Sequence, residues 1–420
     1  MNRALGRLAD LVDPHSLQIV EMNRSAVILA AGKIAGRPVV LFAFNEAKYG
    51  GAFGYFEGAT ISRALHIAEE AEAPLVGLFC TAGANLRQGQ LALRAYGDLF
   101  MRYHRSTVLK IYLSYGACAG GGAYLAGLSD IVLGIRDVSK LFLTGPVVVR
   151  RAIFEEVDAH ALGGTEVVNR YGGFHYIEPS AADMAKRCKD LIAFFYEKRR
   201  PATQAAELDI LPYVYEEIVD IDRILASIFD GGRYSELWKD WGRNAVCAWG
   251  YVGGKRVGVF ANRPIEKGGV LDRTAAEKAA AFYRLSARIP VPVLSLVDTP
   301  GFLPGTESER SGVLKAGAEM LKAYMAHPEK KLTVAVGKVF GGAYMAMGAK
   351  EMGACRYYAL SRAQIGIMGA SYAASLLDFD ETQREFYRLR HLSAHSAAAS
   401  GMIDAVIAPA EIRNAVIKTL

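Results

Sequence analysis

The segment AGKIAGRPVVLFAFNEAKYGG, Ala31 to Gly51, has a second copy 218 residues further along the chain, WGYVGGKRVGVFANRPIEKGG, Trp249 to Gly269. Each copy places two apolar, β-branched runs on either side of a short Gly-containing turn, the pattern of a strand pair. The likeness extends both ways. Upstream, RLADLVD (Arg7–Asp13) resembles RILASIFD (Arg223–Asp230), and RSAV (Arg24–Val27) resembles RNAV (Arg243–Val246). Downstream, APLVGLFCTAGANL (Ala73–Leu86) faces VPVLSLVDTPGFL (Val291–Leu303), a strand pattern ending in a Gly turn each time. The tetrapeptide GGAY occurs at Gly121–Tyr124 and again at Gly341–Tyr344, 220 residues apart, so a small insertion intervenes and the register there stays open by a residue or two. The second half of the chain duplicates the first.

Within each copy, short β-branched runs such as PVVLFAF, PLVGLFC, TVLKIYLS and IVLGI alternate with helical segments such as TISRALHIAEEAE, LALRAYGDLFMRYH and AEKAAAFYRLSARI. Strand and helix in alternation imply βαβ units with right-handed crossovers, hence an α/β fold with largely parallel, buried sheets. Between the copies, the charged, helical-looking segment from Lys186 to Leu211 loses its helix signal near Pro201. The expected domains are residues 2–197 and 202–420.

The 420 residues are 52% hydrophobic and carry a net charge of +6 spread along the chain, with no basic tail, which argues against a nucleic-acid partner. Five scattered cysteines form no CxxC pair and no zinc-type spacing, as expected of a reduced, cytoplasmic protein without a structural metal. The N-terminal stretch carries acids and is unlike a signal or transit peptide. No apolar run reaches the roughly 18 to 20 residues of a membrane helix, so no membrane association is expected.

GACAGGGAYLAG, Gly116–Gly127, is built largely of Gly and Ala yet lies between the strongly apolar runs IYLSY and IVLGI. Each GGAY follows a strand and precedes a small-residue helical run, which places its amides at or near a helix N-terminus. Unpaired N–H groups there, reinforced by the helix dipole, stabilise developing negative charge. Small side chains let a substrate oxygen come within hydrogen-bond distance of the backbone, as in an oxyanion hole. The same glycines also suit tight packing of helix on sheet. Other chemistry is sparse: there is no GxSxG elbow and no phosphate loop, and His391 and His395, spaced i, i+4, have no carboxylate or cysteine to complete a metal set.

The runs VDTPGFLPGTESERSGVLKAGAEML, VFGGAYMAMGAK, AQIGIMGA, GACAGGGAY and LFLTGP closely resemble the carboxyltransferase (β) subunits of biotin-dependent acyl-CoA carboxylases, especially of the propionyl-CoA and acetyl-CoA type. The resemblance runs in order from about Arg7 to SGMIDAVIAP. It implies two crotonase-like domains and two oxyanion holes, one from Gly120 and Gly121 beside Ala119, the other from Gly342 and Ala343 beside Tyr344. In the implied reaction the carboxyl group of carboxybiotin is released as CO2 and joins the α carbon of an acyl-CoA. One hole holds the ureido oxygen and the other the enolate oxygen of the thioester, so no acidic or basic side chain is required.

Three departures stand out. Where typical members read SGGAR this chain reads TAGAN, Thr81–Asn85, so Asn85 replaces an arginine that in the family lies by the active site. The residue after GGAY is Met345, an apolar, flexible side chain suited to a bulkier acyl group. The chain starts several tens of residues later than typical members, so part of the thioester cover is expected to be missing. The sequence carries no biotinylation motif and no ATP-binding biotin carboxylase region. The resemblance therefore implies a separate biotin carboxyl carrier protein and a biotin carboxylase subunit as partners, and a homohexamer in which the N-domain of one subunit faces the C-domain of another. Two other readings stay open: a malonyl-type thioester decarboxylase or transcarboxylase using the same holes, and an inactive structural subunit.

Overall fold

The computed structural model describes residues 3–204 and 218–420; the part of the helical-looking connector that runs on to Leu211 lies outside them. The chain divides into two compact units, Met1–Tyr196 and Glu197–Leu420.

In the first unit, helix α1 (Arg3–Leu11) precedes strands β1 (Gln18–Glu21), β2 (Val27–Ile34) and β3 (Arg37–Phe44). Then come α2 (Tyr55–Glu70), β4 (Leu75–Thr81), α3 (Gln90–Arg105), β5 (Lys110–Ala119), α4 (Gly121–Gly127), β6 (Ile131–Ile135), β7 (Lys140–Phe142) and β8 (Tyr176–Glu178). The sheet order is β1-β2-β3-β4-β5-β6-β8, with β7 pairing β5. β1, β2 and β3 are antiparallel to one another; from β3 onward neighbouring strands run parallel, as βαβ alternation requires.

The second unit repeats this plan. It has β9 (Tyr234–Leu237), β10 (Ala245–Val252), β11 (Lys255–Asn262), α5 (Arg273–Arg288), β12 (Val293–Thr299), α6 (Val313–Ala326), β13 (Lys331–Phe340), α7 (Gly342–Ala346), β14 (Arg356–Leu360), β15 (Gln364–Gly366) and β16 (Ala405–Ile407). The sheet order is β9-β10-β11-β12-β13-β14-β16, with β15 pairing β13. These are the two copies that the internal repeat implied, with the crotonase-like plan that the resemblance led one to expect.

The repeat reaches single hydrogen bonds. In the first unit the Asp13 carboxylate accepts the N–H groups of Ala35 (3.0 Å) and Gly36 (2.8 Å) in the β2–β3 turn. In the second, Asp230 accepts those of Gly253 (2.8 Å) and Gly254 (2.9 Å) in the β10–β11 turn. The aspartate that closes RLADLVD and RILASIFD thus clasps the same hairpin twice, which explains why those two segments look alike. Aromatic stacking fills the first core, where Phe79 lies on Tyr112 with ring centroids 3.8 Å apart. In the second unit one cluster is mainly aliphatic, around Val246, Val259, Leu294 and Val334, and Phe260, Tyr283 and Tyr324 pack edge to face on one another.

One buried histidine gives the first unit an acid limit. The Nδ1 of His175 accepts the Val132 N–H at 3.1 Å, which fixes a neutral ring. Burial pushes its pKa down to about 3. The unfolded chain takes up the proton near 6.5 and the folded unit does not, so this contribution is complete above 6.5 and is lost as pH falls from 6.5 toward about 3. His175→Asn, whose Oδ1 accepts the same N–H but does not titrate, should flatten the acid limb of a plot of unfolding midpoint against pH; an unchanged slope would remove His175 from that limb.

Candidate active site

Strand β5 ends at Ala119 and helix α4 begins at Gly121, leaving Gly120 to make the corner at φ 59°, ψ −126°. Strand β13 ends at Phe340 and α7 begins at Gly342, with Gly341 at φ 58°, ψ −137°. Positive φ at this corner selects glycine. The two corners therefore lie 221 residues apart, one more than the GGAY strings, and Gly121 matches Gly342, Gly122 matches Ala343, and Tyr124 matches Met345. The extra residues enter between the β4 and β12 ends and the helices that follow, where the second unit inserts the short helix Thr306–Ser311.

The short strands β7 and β15 explain which amides are free. The Gly120 N–H donates to the Phe142 carbonyl (3.0 Å) and the Gly341 N–H to the Gly366 carbonyl (2.9 Å), so neither faces a ligand. The first turn's acceptor-free amides are accordingly those of Gly121 and Gly122 rather than Gly120 and Gly121, and Gly120 supplies the corner. Among the described residues, the N–H groups of Gly121, Gly122, Gly342 and Ala343 have no acceptor. Gly342 is exposed and Gly121 half-buried, whereas Gly122 and Ala343 are buried beneath them. The amides of Ala84 and Phe302, in the loops after β4 and β12, are likewise without an acceptor among the described residues. These loops abut the corners: a Cβ on Gly83 would lie 3.3 Å from the Ala119 carbonyl, and one on Gly301 3.3 Å from that of Phe340. The alignment of CTAGA (Cys80–Ala84) with DTPGF (Asp298–Phe302) was the sequence signal for this second pair.

Beneath the turns the two copies exchange their aromatic. A Cβ on Gly121 would fall 2.3 Å from the Tyr96 ring, so α3 supplies the floor of the first turn. Under Gly342 the floor is Phe302 (3.6 Å), which comes from the loop instead. The position matching Tyr96 is Gly317, where a Cβ would meet the Phe302 ring at 3.1 Å, and the position matching Phe302 is Ala84.

The other expected residues are placed as follows. Asn85 caps its own turn, accepting the Arg87 N–H at 3.1 Å. Tyr344 turns away from the corner: its ring lies over Tyr357 and its hydroxyl donates to Glu351 and to the Met402 carbonyl, both at 3.2 Å. Met345 is 44% exposed. Beside the second turn opens a cavity of about 670 Å³ bordered by Gly342, Lys338, Gln364, Tyr372 and Arg388. Lys338 makes no ion pair among the described residues, and its backbone N–H is held by the Asp298 carboxylate at 2.7 Å. Burial pushes the Asp298 pKa up. His391 and His395 lie on separate helical turns, and no group of three His, Cys, Asp or Glu side chains is gathered as for a metal among the described residues.

The family model described as Carboxyl transferase domain matches residues 7–420. The chain is 33% identical to the propionyl-CoA carboxylase carboxyltransferase subunit of Haloferax mediterranei, over 96% of this chain and 84% of that protein. It is 30% identical to the methylmalonyl-CoA decarboxylase subunit alpha of Veillonella parvula, over 95% of this chain and 82% of that one. The solved transcarboxylase 12S, a hexamer with hydrolysed methylmalonyl-coenzyme A bound, superposes with a TM-score of 0.93 at 31% identity, covering 99% of this chain and 88% of that one. Two crotonase-like copies, each with a bare amide turn at the same strand end, and these similarities together place the chain in the carboxyl transferase family, as a carboxyltransferase subunit of biotin-dependent acyl-CoA carboxylases.

Proposed function

We propose that the two glycine turns are the oxyanion holes of this carboxyltransferase, with the outward Gly121 N–H, backed by the buried Gly122, as the donor of one, and Gly342 with Ala343 forming the other. The observation that carries the reading is the pair of acceptor-free amides at each of two matching corners. Biotin, brought on a separate carrier protein charged by a biotin carboxylase subunit, supplies the carboxyl group and the basic ureido nitrogen. The chain's own residues bind and orient. The cavity beside Gly342 has room for a ring system, and Lys338 at its border suits an anionic carboxyl group, while Arg388 there is paired with the Glu385 carboxylate. The first turn takes the thioester oxygen of acyl-CoA and holds it as the α-proton leaves. Amides fixed in place before reaction need no reorganisation as charge develops, and each such donor is worth ~10²–10³ in rate. As in the hexameric transcarboxylase 12S, the subunits assemble as a hexamer, and in that assembly the first turn of one subunit meets the second turn of another. Mixing the protein with carboxybiotinylated carrier and a series of acyl thioesters tests the reading; no carboxylated product from any of them would overturn it.

Decarboxylation of a malonyl-type thioester is the second reading. Asn85, committed to its own turn at a position where the family resemblance leads one to expect arginine, and the likeness to a methylmalonyl-CoA decarboxylase subunit favour it. Release of CO2 from methylmalonyl-CoA onto free carrier biotin distinguishes the direction.

Acyl preference follows from Met345. Its exposure leaves the side chain free to meet a ligand rather than fill a core. A methylene in an apolar pocket is worth ~1–3 kcal/mol, so Met345→Asp should move preference toward short chains and Met345→Ala toward longer or branched ones, by roughly 10- to 200-fold in kcat/KM ratio. Identical ratios across acetyl, propionyl, butyryl and longer thioesters would exclude the role.

A further inference from the structure

Tyr96 is a polar group under the first turn that the reaction as described leaves unused. Its side chain is 6% exposed, and its hydroxyl is shut off from solvent with no hydrogen-bond partner among the described residues. The ring is held from the far side by Phe53, stacked at 3.8 Å and 17°, and along its edge by Phe100 at 5.4 Å. It therefore has one orientation, pressed against Gly121. In that orientation the hydroxyl oxygen lies beside the Gly122 N–H, itself without an acceptor, with the Cys118 thiol also close. Burial keeps the phenol protonated. A buried polar group left without a partner is costly, and such groups in native proteins call for an explanation.

The second copy serves as an internal comparison. There the same space under Gly342 holds the plain phenyl ring of Phe302. If the floor were only filler, a hydroxyl in the first copy would add cost and nothing else. We propose that Tyr96 is a positioning residue of the first oxyanion hole. Its ring fixes Gly121, and its hydroxyl takes up the buried Gly122 N–H as an anionic oxygen draws the turn tight, leaving the Gly121 N–H directed outward at the ligand. The inference rests on the oxyanion-hole reading of these turns.

Tyr96→Phe keeps the ring and removes only the hydroxyl. The expected result is a kcat for carboxyl transfer lowered about 10-fold, the scale of one misplaced hydrogen bond. KM for the acyl thioester should stay within about twofold and the unfolding temperature should be unchanged or higher, because an orphan hydroxyl has gone. A merely structural Tyr96 predicts the opposite split, a parental kcat with at most a shift in stability, and that outcome overturns the proposal. Tyr283→Phe, which removes a hydroxyl equally buried and unpartnered in the second core, should leave kcat at the parental value. The underlying reading is judged separately by Gly342→Pro at the other turn. An inactive Gly342→Pro beside a fully active Tyr96→Phe removes Tyr96 alone, whereas an active Gly342→Pro removes the hole itself.

Discussion

Gly342→Pro is expected to lower carboxyl transfer by ~10² or more, as loss of an oxyanion donor does elsewhere, with the unfolding temperature close to the parent's. The position is unusually well suited to the test. Gly342 is the first residue of α7, the helical position at which proline is best tolerated, and its N–H has no acceptor among the described residues to lose. A Cβ there meets only Phe302, at an ordinary 3.6 Å. Gly341 before it has ψ −137°, outside the α region that a following proline disfavours. Gly342→Ala, which keeps the N–H, should retain most activity. Turnover measured with both variants at saturating carrier separates loss of the donor from loss of shape; a proline variant at the parental rate would leave the turn as packing only. Gly121→Val is a poorer probe of the first turn, since its Cβ would be driven into the Tyr96 ring at 2.3 Å and folding and chemistry would fail together.

Asp230→Ala should destabilise the second unit by about 3–5 kcal/mol, the cost of breaking a buried pair by removing one partner. The Asp230 side chain is fully buried, accepts two turn amides, and receives the Arg413 guanidinium at 2.7 Å. Arg413 also donates to the carbonyls of Ile228 and Thr203, so the aspartate joins the β10–β11 turn to the C-terminal helix Ile412–Thr419. Asp13, in the same place in the first copy, makes only the two exposed amide bonds among the described residues, and Asp13→Ala should cost about 1 kcal/mol. Urea unfolding of both variants checks the difference; equal losses would show that Arg413 adds nothing.

The sequence carried the duplicated hairpins and the strand-helix alternation because both are periodic and local. PVVLFAF, PLVGLFC and IVLGI lie within β3, at β4 and in β6, and AEKAAAFYRLSARI falls almost wholly within α5. The short strands β7 and β15 escaped it, since three residues give no period, yet they decide the donors by occupying the Gly120 and Gly341 amides. The register of the turns was hidden for a related reason: four identical letters, GGAY, aligned more persuasively than the backbone corner, which sits one residue away. Tyr344 looked like part of the turn in sequence and is bound to Glu351 and Met402 in space, contacts made across some 58 residues for the latter. Tyr96 gave no signal at all. A tyrosine inside an amphipathic helix reads as core until the glycine it supports is placed above it.

The exchange of aromatics under the turns also constrains how the two halves can change. Ala84 with Tyr96, and Phe302 with Gly317, are two solutions to filling one space. Copying a single position from one half to the other yields either two rings where one fits or none where one is needed. Overpacking typically costs 1–3 kcal/mol and an emptied aromatic site about 3–5. Each half is thus locked into its own pair, so exchange between the copies within the gene survives only when the segments from β4 through α3, or from β12 through α6, move as one block. Two halves that began alike have in this way become separate lineages within one chain.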